Sequence, residues 1–315
     1  MRPRTQTTLA YAAVIAQTLI SAGTYLLGKV AVDQLNPLAL CYLRFGGAAV
    51  VLFITSKLTG AEITFHREEL PLYIGLGILV VMADPLLFLY GLRLSSASQI
   101  SLLYPLNPIF VLLVARARGL EFPGWRRWLG VALSFAGVAL FVLESGLSYS
   151  LENLLGNLLV LGAVFSWSLY TTFSKTLVER RGSLGALTIS VLTGMVLFTP
   201  VGLPATLTAD YSAVTWEGWL GLGYLIVITV VVGYFCYNYA LAHLDASQVA
   251  VMANGQPVAT VILAAIFLGE RITTLFIVGG VIALTGVTLT QLSKNRKSRR
   301  DRAAANRRTA VPPPL

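Results

Sequence analysis

The sequence predicts an all-α integral membrane protein of ten transmembrane helices, arranged as two inverted five-helix repeats. Three observations carry that prediction: a composition suited to lipid, apolar segments of spanning length, and a pattern that recurs once along the chain. Of 315 residues, 56% are hydrophobic and only 12% charged, against about 25% charged in an ordinary soluble domain. Mean hydropathy is +0.75. No linker rich in Gly, Pro or Ser separates the apolar segments, so the expectation is one membrane domain with a short tail.

A hydrocarbon core of about 30 Å needs roughly 20 residues of apolar helix. The first such segment is Leu9 to Leu27. Arg2 and Arg4 ahead of it, with Ser21-Ala22-Gly23 inside it, imitate a secretory leader, but the run is long enough to span and is read as a helix. The second and third segments, Leu38 to Leu58 and Leu70 to Tyr90, hold Arg44 and Asp84. Each charge sits six residues from its expected outer boundary, about 9 Å deep at 1.5 Å per residue. An unpaired charge at helix centre costs a few kcal/mol, so the two are expected to meet across the helix pair. Arg44 would be partly free for a solute carboxylate and Asp84 would hold it in place. A purely structural bridge, or Arg44 snorkelling outward, is the competing reading.

The fourth and ninth segments, Ala97 to Val114 and Ala246 to Leu268, share two features. Ser96 with Gln99, and Asp245 with Gln248, have capping-box spacing, in which the first side chain binds the opening turn and the glutamine reaches back. Pro108 and Pro257 lie about eleven residues further in, each freeing the carbonyl four residues earlier, at Tyr104 and Ala253. Polar side chains gather at both kinks: Tyr104 and Asn107 on the fourth segment, Asn254 and Gln256 on the ninth. They either satisfy the kinked backbone or line a solute pathway.

The fifth and tenth segments, Trp128 to Leu143 and Phe276 to Leu292, carry small residues at i, i+4 and i+7: Gly130, Ser134 and Gly137, then Gly279, Ala283 and Gly286. That is a close-packing stripe within one protomer or between two, which leaves a homodimer open. The sixth, Gly156 to Ser174, places Trp167 and Tyr170 on one face at mid-depth, and the eighth, Trp219 to Tyr239, adds Tyr234 and Tyr237. Either these aromatics pack, or they line an aromatic, hydrogen-bonding cavity suited to amino acids and similar amphipathic metabolites. The seventh, Ala186 to Leu203, completes the set.

Lys and Arg distribution sets an orientation, because cytoplasmic flanks retain positive charge. With the N-terminus inside, the inner segments hold 19 of the 23 cations, including Arg116, Arg118, Arg126 and Arg127 in one loop and eight in the tail. The outer flanks hold only Lys29, Arg93 and Arg271. The organisation expected is a cytoplasmic N-terminus over 1–8, a first repeat over 9–143, a second over 154–292, and a basic cytoplasmic tail over 293–315 that can meet anionic lipid headgroups. The net charge of +9 is explained by this bias, so nucleic acid is not expected as a partner.

The internal repeat is read from two offsets. Ser96-Ala97-Ser98-Gln99 recurs as Asp245-Ala246-Ser247-Gln248 at an offset of 149, which also pairs Pro108 with Pro257, Glu121 with Glu270, Gly130 with Gly279 and Gly137 with Gly286. Earlier, an offset of 146 pairs Gly75 and Gly77 with Gly221 and Gly223, and Lys29 with Lys175. An odd number of spans per copy inverts the second copy, an architecture that transporters use for alternating access.

Leu43-Arg44-Phe45-Gly46, the run from Ser96 to Gln99 through Asn107-Pro108, and Gly269-Glu270-Arg271 ahead of the last helix together resemble the EamA-type branch of the drug/metabolite transporter superfamily. The resemblance covers about residues 9 to 292, with the glycine-glutamate motif degraded to Gly119-Leu120-Glu121 in the first copy. It implies an exporter or exchanger of metabolites, often amino acids, in a bacterial inner membrane.

Other classes fare worse on the residues. Two cysteines, Cys41 and Cys236, cannot build a disulfide framework or a four-ligand metal site, and the only histidines are His66 and His243, so no cofactor is expected. An intramembrane enzyme would need a nucleophile with a base or paired carboxylates, whereas Asp84 is the one carboxylate clearly inside a span. A receptor or scaffold would bind without flux. A proton-driven exporter of cationic drugs would hold an acid deep in the first helix, which has none, and a phosphate-ester exchanger would want several buried cations where only Arg44 qualifies.

Overall fold

The computed structural model describes residues 3–119, 123–148, 151–233, 236 and 255–290. The regular structure among these residues is helical, with no strand, as expected of a chain whose every backbone polar group must be satisfied without water. In chain order the helices are α1 (Pro3–Gln34), α2 (Pro37–Thr59), α3 (Arg67–Leu94), α4 (Ala97–Val114), α5 (Trp125–Ser148), α6 (Leu151–Ser174), α7 (Leu184–Leu207), α8 (Trp216–Gly233), α9 (Gln256–Phe267) and α10 (Thr274–Thr290). Seven of them, α1 to α4 and α6 to α8, are long and apolar enough to cross a membrane, and α9 and α10 are shorter apolar helices. Helical structure continues between α6 and α7 except at Gly182, whose φ of +69° and ψ of 167° break the ladder.

Local chemistry sets the boundaries. Asn36 accepts the Leu38 N–H at 2.9 Å, Pro37 occupies the first turn, and Gly60 closes α2 in the left-handed region at φ +69°. The first helix runs seven residues beyond the expected Leu27, to Gln34, because Lys29 and Asp33 form an i,i+4 ion pair at 3.2 Å that helical geometry accommodates. Large apolar side chains point outward, Ile15, Val196 and Ile266 among them, while Arg44, Ser134, Asn157 and Ser190 are buried inside.

Three helices are irregular. The third contains a π stretch, Ile78–Ala83, before α-geometry resumes at Asp84 with Pro85 in the first turn. In α8 a π stretch runs over Tyr224–Gly233. The two π stretches begin 146 residues apart, the offset read from the sequence. The fourth breaks into a 3-10 turn over Tyr104–Leu106 and restarts at Asn107 with Pro108 in its first turn, just as α9 begins at Gln256 with Pro257.

Contacts between helices repeat at the same offsets. On the antiparallel α2–α7 pair, Ser56 Oγ lies 2.8 Å from Thr188 Oγ1, and a side chain on Gly202 would collide with the Tyr42 ring. Adding 146 to 56 and to 42 gives 202 and 188, so each contact is the image of the other. Glu69 pairs with Arg180, and the image is Gln34, whose Oε1 accepts the Thr215 N–H at 2.9 Å. On the antiparallel α5–α10 pair, Ser134 Oγ donates to Ala283 O at 3.2 Å, two positions related by 149. Glycines let those backbones touch: a Cβ at Gly130 would lie 2.7 Å from Gly286 O.

Candidate functional site

The site is assembled where the helices depart from regular geometry. Proline at position 85 has no N–H and crowds the carbonyl four residues earlier, and that carbonyl, Val81 O, accepts instead from Cys41 Sγ of α2 at 3.2 Å. The i→i+5 turns of the preceding π stretch alter the angular position of every later residue of α3. Asp84 is thereby presented to α4, where Tyr104, at the start of the 3-10 turn, donates its hydroxyl to Asp84 Oδ1 at 3.0 Å.

The Tyr104 ring belongs to an aromatic trio. Tyr25 of α1, Phe88 of α3 and Tyr104 lie edge-on to one another, with centroids 5.7 to 5.9 Å apart and interplanar angles of 70° to 82°. That edge-to-face geometry is the one aromatic quadrupoles favour. Gln256, opening α9, donates its amide to the Tyr25 hydroxyl at 2.9 Å. Two hydrogen bonds joined by a ring-edge contact between the tyrosines therefore connect Gln256 on α9 to Asp84 on α3.

Arg44 is 8% exposed on α2, and its guanidinium lies over the Phe45 ring at 5.2 Å. Among the described residues its buried Nε has no hydrogen-bond partner, and the buried Asn107 Oδ1 has none either. Buried polar groups are nearly always paired, so an open donor position on the Arg44 guanidinium and an open acceptor on Asn107 are each a place where a polar partner could bind. The expected Arg44–Asp84 contact is not made: no ion pair within 4.0 Å joins them among the described residues. The irregular turn and Pro85 direct the carboxylate to Tyr104 instead, a rotation that a regular 3.6-residue period does not anticipate.

Of the other expected residues, Trp167 and Tyr170 stack on each other on α6 at 5.2 Å and 29°, with Tyr170 buried. Tyr234, Tyr237 and Asn254 lie outside the described residues, as do Asp245, Gln248, Glu121 and the tail. The capping box is half realised. Ser96 Oγ accepts the Gln99 N–H at 3.2 Å, but the Gln99 side chain turns away from the cap to take hydrogen bonds from Ser95 and Asn157, at 2.9 and 3.0 Å. Sequence reasoning missed Tyr25 and Phe88. Tyr25 stands two residues from the expected end of the first helix, where an interfacial tyrosine is ordinary; only the continuation to Gln34 puts it inside. The usable signal was Pro85, which follows an intramembrane acid directly and marks α3 as broken there.

The EamA-like transporter family matches residues 8–143 and again residues 154–292. Among similar proteins, the uncharacterized transporter YyaM of Bacillus subtilis (strain 168) is 26% identical over 281 residues, spanning 88% of this chain and 92% of its own. The probable amino-acid metabolite efflux pump of Escherichia coli (strain K12) is 25% identical over 268 residues, 82% of this chain and 87% of that one. A crystal structure described only as that of a protein superposes with a TM-score of 0.59 at 15% identity, over 91% of this chain and 96% of the other, and shares the fold. With both halves matched by one family and seven helices of spanning length, this chain is a multi-span membrane protein belonging to the EamA-like transporter family.

Proposed function

We propose that the chain exports or exchanges amino acids or closely related small metabolites by alternating access between two inverted five-helix repeats, 9–143 and 154–292. The observation that carries the solute class is Arg44: a buried guanidinium without an acceptor on Nε among the described residues, in the same bundle layer as a carboxylate, Asp84, and an aromatic trio. A guanidinium binds carboxylates through two parallel hydrogen bonds, and an acid nearby suits an ammonium group. One cation facing one acid favours a zwitterion over a dianionic phosphate ester. Similarity to a probable amino-acid metabolite efflux pump points the same way.

The repeat reading draws support from contacts that are each other's images at offsets of 146 and 149, on antiparallel helix pairs. In this reading all ten helices span, both termini face the cytoplasm, the membrane is the bacterial inner one, and Tyr234, Asn254, Trp167 and Tyr170 complete the cavity around Arg44, Asp84, Tyr104, Asn107 and Gln256.

The test is counterflow in proteoliposomes with labelled amino acids, purines, sugar phosphates and quaternary amines. Amino acids should accumulate in preloaded vesicles, and Arg44→Gln should slow that uptake roughly thirtyfold, the loss of about 2 kcal/mol from a charge-assisted bond, while the variant still folds. Counterflow confined to another solute class, or an Arg44→Gln protein that transports amino acids normally, would sink the assignment.

A further inference from the structure

The turn between α3 and α4 is held by groups from three other parts of the chain. From α1, Lys29 Nζ donates to the final-turn carbonyls Leu92 O and Arg93 O at 2.8 and 3.1 Å, where the negative end of a helix favours a cation. From α6, Asn157 joins Ser95 and Gln99 in a buried cluster with distances of 2.9 to 3.0 Å. From the link between α9 and α10, Glu270 accepts the Ala97 and Ser98 N–H groups at 2.7 and 3.0 Å. Two clefts meet at Glu270, one of about 360 Å³ bordered by Lys29, Asp33 and Arg93, the other of about 170 Å³ bordered by Ser98, Arg271 and Phe276.

The Glu270 bonds differ from an ordinary cap in a way that matters. The first turn of α4 already has its own cap in Ser96, whose hydroxyl takes the Gln99 N–H. Glu270 adds a second cap, supplied from 172 and 173 residues away, by the other half of the chain. Its charged, short hydrogen bonds are strong while formed, yet the groups it serves stand at a helix start beside open clefts, where water can replace it when it leaves. Below it, the α-helical stretch Ala97–Leu103 ends at the 3-10 turn Tyr104–Leu106 that carries the bond to Asp84. The stretch is a rigid leaf about 10 Å long at 1.5 Å per residue, with a break in the helical ladder at its foot.

We propose that Glu270 is a positioning residue that latches a gate: its carboxylate, with Lys29 on the other side of the turn, holds the Ala97–Leu103 leaf shut over the Asp84–Tyr25 layer, and release lets the leaf swing about Tyr104–Leu106 to open that end of the pathway. The proposal rests on the alternating-access reading above but on no choice of solute.

The experiment reads opening directly and uses no solute, so an error in the amino-acid assignment leaves it decisive. In nanodiscs, in a Cys41→Ser, Cys236→Ser background, Ser101→Cys places a reporter thiol on the leaf, at a position with 0% exposure. N-ethylmaleimide should label it about tenfold faster when Glu270→Gln is added, the response of a local opening equilibrium to a lost restraint. Glu270→Asp, which keeps the charge, should fall between, a rescue that a general loosening of the fold would not produce. Equal labelling rates in all three overturn the latch. Should Glu270→Gln fail to fold, Ser96→Cys and Arg271→Cys joined by a thiol-cleavable cross-linker replace it. The tether should protect Ser101→Cys at least tenfold until cleaved, and labelling that ignores the tether overturns the proposal.

Discussion

Tyr104 holds two jobs that one substitution separates. Its hydroxyl donates to Asp84 and its ring completes the trio with Tyr25 and Phe88. Tyr104→Phe keeps the ring and removes only the donor, so the packing survives while a buried carboxylate loses its hydrogen bond, a loss of about 1.5–3 kcal/mol for a bond to a charged group. The expected result is a folded protein whose counterflow falls at least about tenfold, with Tyr104→Leu worse because the ring contacts go as well. Full activity in Tyr104→Phe would mean that the bond merely stabilises α4. Arg44, Asp84, Tyr104, Asn107 and Gln256 were legible in the sequence because polar and charged side chains at membrane depth are expensive and therefore conspicuous. Their partners were not. Arg44 and Asp84 were matched by counting residues from helix ends, and counting assumes regular helices, whereas a π stretch and Pro85 intervene. Tyr25 escaped because its depth depends on where α1 stops, and that is decided by the Lys29–Asp33 pair and the contact of Lys29 with α3, neither of which hydropathy reports.

At the scale of the element, two of the irregular helices, α3 and α4, carry residues of the candidate site. Prolines in α3 and α4 free carbonyls that a spanning helix must re-satisfy, and for Val81 O the donor is Cys41 Sγ. Cys41→Ser should be neutral, since a hydroxyl can donate to the same carbonyl, while Cys41→Val removes the donor and adds only one methyl group. The valine variant should lose about 1–3 kcal/mol of stability, the penalty of a buried polar group left unpaired, visible as an earlier thermal unfolding transition in detergent with serine matching the wild type. Equal transitions for valine and serine would show that Val81 O finds another donor. The α5–α10 pair gives a second expectation. The small residues at 130, 134 and 137 were read as a contact stripe for a partner inside or outside the protomer, and the structure places α10 of the same chain against them. Gly130→Leu should therefore prevent folded protein from accumulating, because its first atom would already lie 2.7 Å from the Gly286 carbonyl and rigid backbone has no room to yield. Normal accumulation of a monodisperse Gly130→Leu protein would contradict that packing.

For the whole molecule, orientation is the quantity that composition and symmetry constrain together. Nineteen of 23 cations fall on one set of connecting segments if both termini share a side, and on the positive-inside bias that side would be the cytoplasm. The contacts give an independent constraint. If the second copy repeats the first upside down, a feature at one face must have its image at the other. Glu69–Arg180, joining the first turn of α3 to the segment before α7, has as its image Gln34–Thr215, joining the end of α1 to the segment before α8. The ionic version belongs where the cations crowd and the neutral version where they are scarce. Inverted duplication followed by the charge bias would leave that pattern, since an arginine on the outward-facing copy would oppose insertion. Single cysteines placed at Ser148 and at Thr208, in a Cys41→Ser, Cys236→Ser background, should react with a membrane-impermeant thiol reagent applied to intact cells, and one at Ala304 should react only after the membrane is opened. Cysteine at Glu68, beside the Glu69–Arg180 pair, should follow Ala304, and cysteine at Ser212, beside Thr215, should follow Thr208. If Glu68 and Ser212 label from the same side, the two contacts lie on one face of the membrane and the inverted repeat fails, even with the termini correctly placed. If all five positions exchange sides together, the repeat stands and the orientation drawn from the charges is reversed.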